Sequence, residues 1–265
     1  MSDDIHEVYA IAYGRHERPG SENYIGDPHN NSPDPLAFYV WAIVGRAGTI
    51  IVDTGFDEPM AQKRSRPLAK PIAQGLKAMN IAPDSIKDVI ITHLHWDHSG
   101  NADLFPNARY HVQDCEMEYA TGRCMCHAHQ RMPFECDYVV DLVRKVYSGR
   151  VQFHDGESEL APGITLHKIG GHSKGLQCVR VKTKRGYVVL ASDCAHLYRH
   201  IDEGKVFPIT YNVGDVLEGY RTLGRLATSR AHIVPGHDPK VLEIYPAAKA
   251  DLKGWVARLD ADPKS

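Results

Sequence analysis

The sequence predicts a layered α/β domain, two sheets packed face to face with helices outside them. Three observations carry that prediction. Apolar runs of strand length recur in both halves of the chain, and helical periodicity follows them in each half. The composition, 43% hydrophobic and 24% charged over 265 residues, is that of an ordinary globular chain. No internal repeat or low-complexity linker divides it, so 1–265 reads as one domain with loop excursions at about 14–36 and 121–135.

The first excursion, Gly14 to Leu36, has 14 turn formers among its 23 residues, too many for regular structure. Phe38 to Val44 and Thr49 to Asp53 then read as a hairpin of buried strands turned by Gly45-Arg46-Ala47-Gly48. Pro59 to Asn80 is helical but interrupted by Pro67 and Pro71, each of which removes a backbone donor, so two short helices are expected. Val89 to Ile91 is a short strand and Arg109 to Val112 another. Gln113 to Ala120 and Glu135 to Tyr147 are helices, the latter with Val139, Val140, Val143 and Val146 as its apolar positions. The C-terminal half gives strands at Val151 to His154, Ile164 to Ile169, Leu176 to Lys182, Tyr187 to Ala191 and His232 to Val234. Helices at about Asp215 to Thr228 and Pro246 to Leu259 interleave with them.

The charge balance, 31 Lys and Arg against 33 Asp and Glu, nets −2 and supplies no field to collect polyanions, so nucleic-acid partners are disfavoured. The start, Met1-Ser2-Asp3-Asp4-Ile5-His6-Glu7, has neither the positive nor the apolar region of a signal peptide, and no run of 18 apolar residues occurs. A cytoplasmic protein off the membrane is expected, with its six cysteines as thiols. Exposed apolar loops are compatible with a homodimer.

Sixteen histidines invite a search for metal ligands. Thr92-His93-Leu94-His95-Trp96-Asp97-His98 puts four ligand-type side chains in six residues directly after a strand. A chain of this composition would contain that pattern by chance roughly 0.005 times. His93 and His95, two apart, fall on one side of an extended backbone. If the chain bends beyond them, Asp97 and His98 address a second ion beside the first. Three further candidates, His172, Asp193 and His237, each follow an apolar strand in a short loop; His172 and His237 come directly after glycines. Strand ends are where a sheet delivers side chains into a shared crevice. Together the seven suffice for two ions bridged by a carboxylate.

At this point the chain resembles the metallo-β-lactamase superfamily, from Val52-Asp53-Thr54-Gly55 through His93 to His98 and on to His172, Asp193 and His237. The resemblance implies a four-layer αβ/βα sandwich. It also implies His93, His95 and His172 on one ion, Asp97, His98 and His237 on the other, Asp193 bridging, and Asp53 orienting a ligand from behind. The 52 residues before Asp53 and the gaps of 21 and 44 residues from His172 to Asp193 to His237 look like the N-acyl homoserine lactonase branch. That branch implies a dinuclear hydrolase opening an N-acyl homoserine lactone or related lactone by attack of a metal-bridging hydroxide, with Asp97 turning from ligand to proton shuttle. Zinc suits the nitrogen and oxygen donors, as do iron, manganese and cobalt.

One departure stands out. Lactonases of that branch carry a tyrosine three residues after the bridging Asp, where it touches the substrate carbonyl; here His196 holds that position, and Tyr198 two residues on is the other candidate. The alternative function is a glyoxalase II-like thioesterase or another carboxylic ester hydrolase. A non-catalytic metal-binding protein would be expected to have lost one of the seven ligands. Cys124, Cys126, His127, His129 and Cys136 look superficially like a zinc site, but Cys-x-Cys-His spacing fits structural zinc badly. A lid or packing role is expected for that segment, and both excursions are expected to roof the pocket. Cys194 should point into the core.

Overall fold

Trp41 and Tyr39 face one way from a strand whose Phe38, Val40 and Ala42 face the other, and all five are buried. A strand covered on both faces requires a layer on each side of its sheet. The computed structural model describes residues 4–264 and supplies those layers.

The first sheet holds β1 (Glu7–His16), β2 (Leu36–Gly45), β3 (Gly48–Val52), β4 (Asp88–Ile90), β5 (Arg109–Gln113) and β6 (Val151–His154). The second holds β7 (Glu157–Ala161), β8 (Ile164–Lys168), β9 (Gln177–Thr183), β10 (Gly186–Ser192) and β11 (Ile233–Pro235), while β12 (Val256–Arg258) returns to the first. Their orders are β12-β1-β2-β3-β4-β5-β6 and β11-β10-β9-β8-β7. Both are mixed: β3 to β6 run parallel in the first sheet, and β11 pairs parallel with β10 in the second.

The sheets meet over a core in which Val8, Trp41, Val52 and Ile90 from one pack on Leu166, Val179, Val188 and Val234 from the other. Outside the first sheet lie α1 (Glu58–Arg64), α2 (Ile72–Ala78), α3 (Asp114–Thr121), the single turn α4 (Ala128–Arg131) and α5 (Cys136–Tyr147). Met60, Leu76, Tyr119 and Leu142 from these helices pack on Ile11, Ile51 and Val89. Outside the second, α6 (Tyr198–Glu203) is followed by α7 (Val213–Leu226), whose Val216, Tyr220 and Leu223 cover Cys178, Val189 and Ile233. A last short helix, α8 (Lys240–Ile244), precedes the return to β1. The result is the four-layer αβ/βα sandwich. Truncating a side chain such as Trp41 at its centre would cost about 3–5 kcal/mol.

Local chemistry sets the helix ends. The Asp57 side chain accepts from Met60 N–H at 2.9 Å to start α1, and Ser65 ends it in the left-handed region ahead of Pro67. Asn212 likewise accepts from Gly214 and Asp215 N–H to start α7. On α5 the buried face is Val139, Leu142 and Lys145, whereas Val140 is exposed.

One expected element is absent. Pro246 to Leu259 does not form a helix: Ala250–Leu252 makes a 3-10 turn, Gly254 takes φ +74°, and Val256–Arg258 pairs antiparallel with β1. The outer edge of β1 needs backbone partners, and Val256, Ala257 and Leu259 bury their side chains by supplying them, which outweighs the helix propensity of the alanines and lysines. The expected loop from Gly14 also begins later, because β1 continues to His16.

Candidate metal centre

The seven candidate ligands come from four loops at the same end of the two sheets. The turn after β3 starts with Asp53 at φ +60°, and Ser192 at the end of β10 has φ +46°, both conformations that non-glycine residues rarely hold. Each is pinned. Asp53 N–H bonds Ile90 O and Thr54 N–H bonds His98 O, both at 2.8 Å, so the turn is stitched to the histidine segment. The Thr92 hydroxyl meets the Ser192 hydroxyl at 2.8 Å, which ties the first sheet to the second beneath the site. The loop after β8 depends on Gly171, where a Cβ would sit 2.6 Å from the Val216 backbone nitrogen.

These constraints bring all seven together around Asp193. Its Oδ2 lies 3.2 Å from His172 Nε2 and 3.8 Å from His93 Nε2, and His95 Nδ1 is 2.9 Å from His172 Nε2. Its Oδ1 lies 2.9 Å from His237 Nε2 and 3.2 Å from His98 Nε2, while Asp97 Oδ2 is 3.7 Å from each of those nitrogens. Ligand atoms of His93, His95 and His172 thus gather on one side, and those of Asp97, His98 and His237 on the other. His93 Nε2, His98 Nε2 and Asp193 Oδ1 are buried without a hydrogen-bond partner among the described residues. Each such orphan costs about 1–3 kcal/mol, and a cation shared among them removes the cost. The donor set therefore fits divalent ions.

The remaining ring nitrogens are held from behind. His98 Nδ1 is 2.7 Å from Asp53 Oδ2, His237 Nδ1 is 2.9 Å from Ala37 O, and His93 Nδ1 is 3.1 Å from the Thr92 hydroxyl. Such contacts fix tautomer and ring orientation. The electrostatics ask for cations too. Burial and the neighbouring imidazoles hold His93 and His95 well below the usual histidine range. Burial works against a charge on His98, yet the carboxylates of Asp193, Asp97 and Asp53 push it well above that range.

His196 joins the cluster, its Nε2 3.0 Å from Asp193 Oδ2 and its ring stacked 3.7 Å from Phe207. It is also within ligating distance of His172 and Asp193, a second possibility beside substrate contact. Tyr198 does not join, which corrects the expectation that it could reach a substrate carbonyl. It opens α6, its N–H donates to Asp238 at 2.8 Å, and its ring packs in the core beneath Arg230, lining a separate cleft. Cys124, Cys126, His127 and His129 gather into no metal-ligating group among the described residues. Cys194 is buried under α7.

Both loop excursions contribute to the pocket above the cluster, the first through Arg18 and Leu36, the second through Met132 and Pro133. Sequence reasoning missed Glu116. This fully buried carboxylate on α3 accepts from Leu94 N–H, Ser173 Oγ–H and Gly175 N–H at 2.8–2.9 Å, joining the His93–His95 segment to the His172 loop. No local signal set it apart from an ordinary helix acid.

The metallo-β-lactamase family model matches residues 34–237, most of the chain and all of the cluster. The chain belongs to the metallo-β-lactamase superfamily. Within the superfamily it is 30% identical over 177 residues to the N-acyl homoserine lactonase AttM of Azorhizobium caulinodans, covering 62% of each chain, so the match spans under two thirds of that relative. It is 27% identical over 188 residues to the N-acyl homoserine lactonase AiiA of Bacillus thuringiensis subsp. kurstaki, covering 63% of this chain and 68% of that one. In fold it superposes on a quorum-quenching N-acyl homoserine lactone lactonase with a TM-score of 0.75 at 23% identity, over 90% of this chain and 94% of that one. AidC, a dizinc quorum-quenching lactonase, gives 0.68 at 15% identity over 98% and 95%. Among the described residues no helix is long and apolar enough to cross a membrane.

Proposed function

We propose that this protein is a dinuclear metal-dependent hydrolase that opens the ring of an N-acyl homoserine lactone or a related lactone. The observation that carries the reading is the division of labour at Asp193: one oxygen faces His93 and His172, the other His98 and His237. A carboxylate so flanked suits two ions rather than one. His93, His95 and His172 would hold the first and Asp97, His98 and His237 the second, with zinc, compatible with this ligand set and present in the dizinc structural neighbour, as the ion to test first. Ions bound there would supply a nucleophile at neutral pH, by acidifying water, and would polarise the carbonyl.

The chain's own groups do the rest. Asp53, Thr92 and the Ala37 carbonyl keep the imidazoles aimed. His196 Nε2, on the pocket wall, would donate to the oxyanion that develops on the substrate. Asp97 is the most exposed of the seven, and its Oδ2 would carry a proton to the departing alkoxide. The same residues would serve a thioester or another carboxylic ester, so the substrate is tested directly. Metal analysis of the purified protein, with acid release measured in a pH-stat from lactones and thioesters, should give two metals per chain and ring opening of lactones. Two metals with thioester cleavage alone would move the activity to the glyoxalase II-like reading.

A further inference from the structure

One wall of the pocket above the metal centre is basic. His16 and Arg18 come to it from the end of β1 and the loop beyond, and Arg64 and Arg66 from the end of α1, facing a space that also contacts Asp97 and Asp193. The two carboxylates are already placed to hold ions. Arg18 is matched by Glu22, 3.3 Å from its Nε. Arg64 donates to the carbonyls of Met132 and Phe134 and lies 3.7 Å from Glu135. Arg66 is different: its Nη1 donates only to the Arg64 and Ser65 carbonyls, and among the described residues no carboxylate makes an ion pair with it, Glu22 and Asp97 acting on it only from farther away.

A half-buried guanidinium with no carboxylate in contact, whose distant neighbour Asp97 is placed to hold an ion and whose neighbour Glu22 is paired with Arg18, is poorly suited to a neutral acyl arm. The cost is visible in its surroundings. Burial, with Arg66 and Arg18 nearby, lowers His16 to about 4, so this histidine stays neutral at working pH. The space is small as well, about 120 Å³, below the roughly 300–1,000 Å³ of sites that enclose drug-sized ligands. A separate apolar cleft of about 700 Å³ shares Arg64 and Met132 with it and would be the place for a long acyl chain.

We propose that the substrate bears an acidic group, a carboxylate or phosphate, on a short arm beside the scissile ester, and that Arg66 is the residue that recognises it. This rests on the hydrolase reading for the chemistry but not for the binding. Bidentate charge-assisted hydrogen bonds would supply a preference of about 10–100-fold.

The test compares N-succinyl homoserine lactone, whose arm ends in a carboxylate, with the near-isosteric neutral N-pentanoyl homoserine lactone on the metal-loaded enzyme. The succinyl compound should be favoured at least tenfold in kcat/KM, and its KM alone should rise with ionic strength. Arg66→Met should collapse the preference towards one, and Arg66→Lys, which keeps the charge, should restore part of it. If neither lactone is opened, the lactone-opening reading fails. Calorimetric binding of the same two compounds to wild type and to both variants then decides the present proposal. Equal handling of the two compounds, preference for the neutral one, or a preference that survives Arg66→Met would overturn it, and preference for long neutral chains would assign binding to the apolar cleft.

Discussion

His98 is held between two carboxylates: its Nδ1 lies 2.7 Å from Asp53 Oδ2, and its Nε2 lies 3.2 Å from Asp193 Oδ1. Asp53 is fully buried, and it also accepts from Thr92 through the backbone N–H at 2.7 Å and the hydroxyl at 2.8 Å. One side chain therefore orients an imidazole, anchors the strand end that carries His93, and places negative charge behind the proposed second ion.

Asp53→Asn keeps the shape and removes the charge. Contacts of this kind are typically worth 10–100-fold in metal affinity, so the variant should bind its weaker ion that much less tightly while retaining the fold. Chelator competition with circular dichroism alongside is the check. Unchanged affinity for both ions would remove Asp53 from the account.

His196 and Tyr198 should part company. His196→Phe preserves the stack on Phe207 and removes the donor, and loss of an oxyanion donor costs about 10²–10³-fold in kcat. Metal content should stay at two per chain; if it drops with the activity, His196 is a ligand. Tyr198→Phe, in the core, should change kcat less than twofold, and a large loss there would reinstate the tyrosine.

Removing metal should cost stability. Buried donors that lack partners in the protein repel one another or go unsatisfied without a cation. Metal present at about 1,000 times its Kd stabilises by about 4 kcal/mol, which at about 2–4 °C per kcal/mol corresponds to a Tm drop of about 10 °C on chelation. Equal melting temperatures for metal-loaded and demonstrably metal-free protein would contradict the fit.

Much of the centre was legible because a sheet presents its functional residues in sequence order at strand ends. His93 to His98 form one continuous motif, and the other candidate ligands follow strands whose apolar runs are easy to read. What stayed hidden depends on contacts between distant segments. Arg18 and Arg66 are separated by two strands and become neighbours only when the end of β1 bridges to Leu68 in the segment after α1. The strand at Val256–Arg258 exists because β1 offers it an edge, a fact absent from its own alanine-rich sequence. Tyr198 was misplaced for a similar reason, since its direction is set by the start of α6 and not by its distance from Asp193.

Acid should loosen the loop over the pocket through His200. Its ring is buried, with Nδ1 accepting from Leu197 N–H at 3.0 Å and Nε2 donating to Asn23 O at 3.0 Å, and protonation of Nδ1 would break the first of these bonds. Burial lowers it to about 4. Between the unfolded value near 6.5 and about 4 the unfolded chain binds the extra proton, so stability falls as pH drops through that window, by about 3 kcal/mol in all. Denaturant titrations from pH 7 to pH 4 at saturating metal should show a shallower dependence in His200→Gln. Parallel curves for the two proteins would rule His200 out as a source of the acid sensitivity.

Gly236 offers the most local test of the bridging carboxylate. A Cβ there would lie 2.7 Å from the Ser192 backbone carbon and oxygen and 2.9 Å from Asp193 Oδ1. The backbone has little room to yield, because Gly236 N–H is bonded to Ala195 O at 2.9 Å and Ser192 is held at a positive φ. Asp193 must therefore give way. Gly236→Ala should cost about 1–3 kcal/mol of stability from overpacking and should shift the very oxygen that faces His98 and His237, weakening one ion more than the other. Gly224→Ala, on the exposed face of α7 with open space around the added methyl, is the matched control, where helix propensity predicts a gain of up to about 1 kcal/mol. Metal stoichiometry separates the two effects. If Gly236→Ala retains both ions at wild-type affinity while losing stability, Asp193 is not where the ions depend on this loop; if it loses one ion and the control loses none, the carboxylate's position is what the glycine protects.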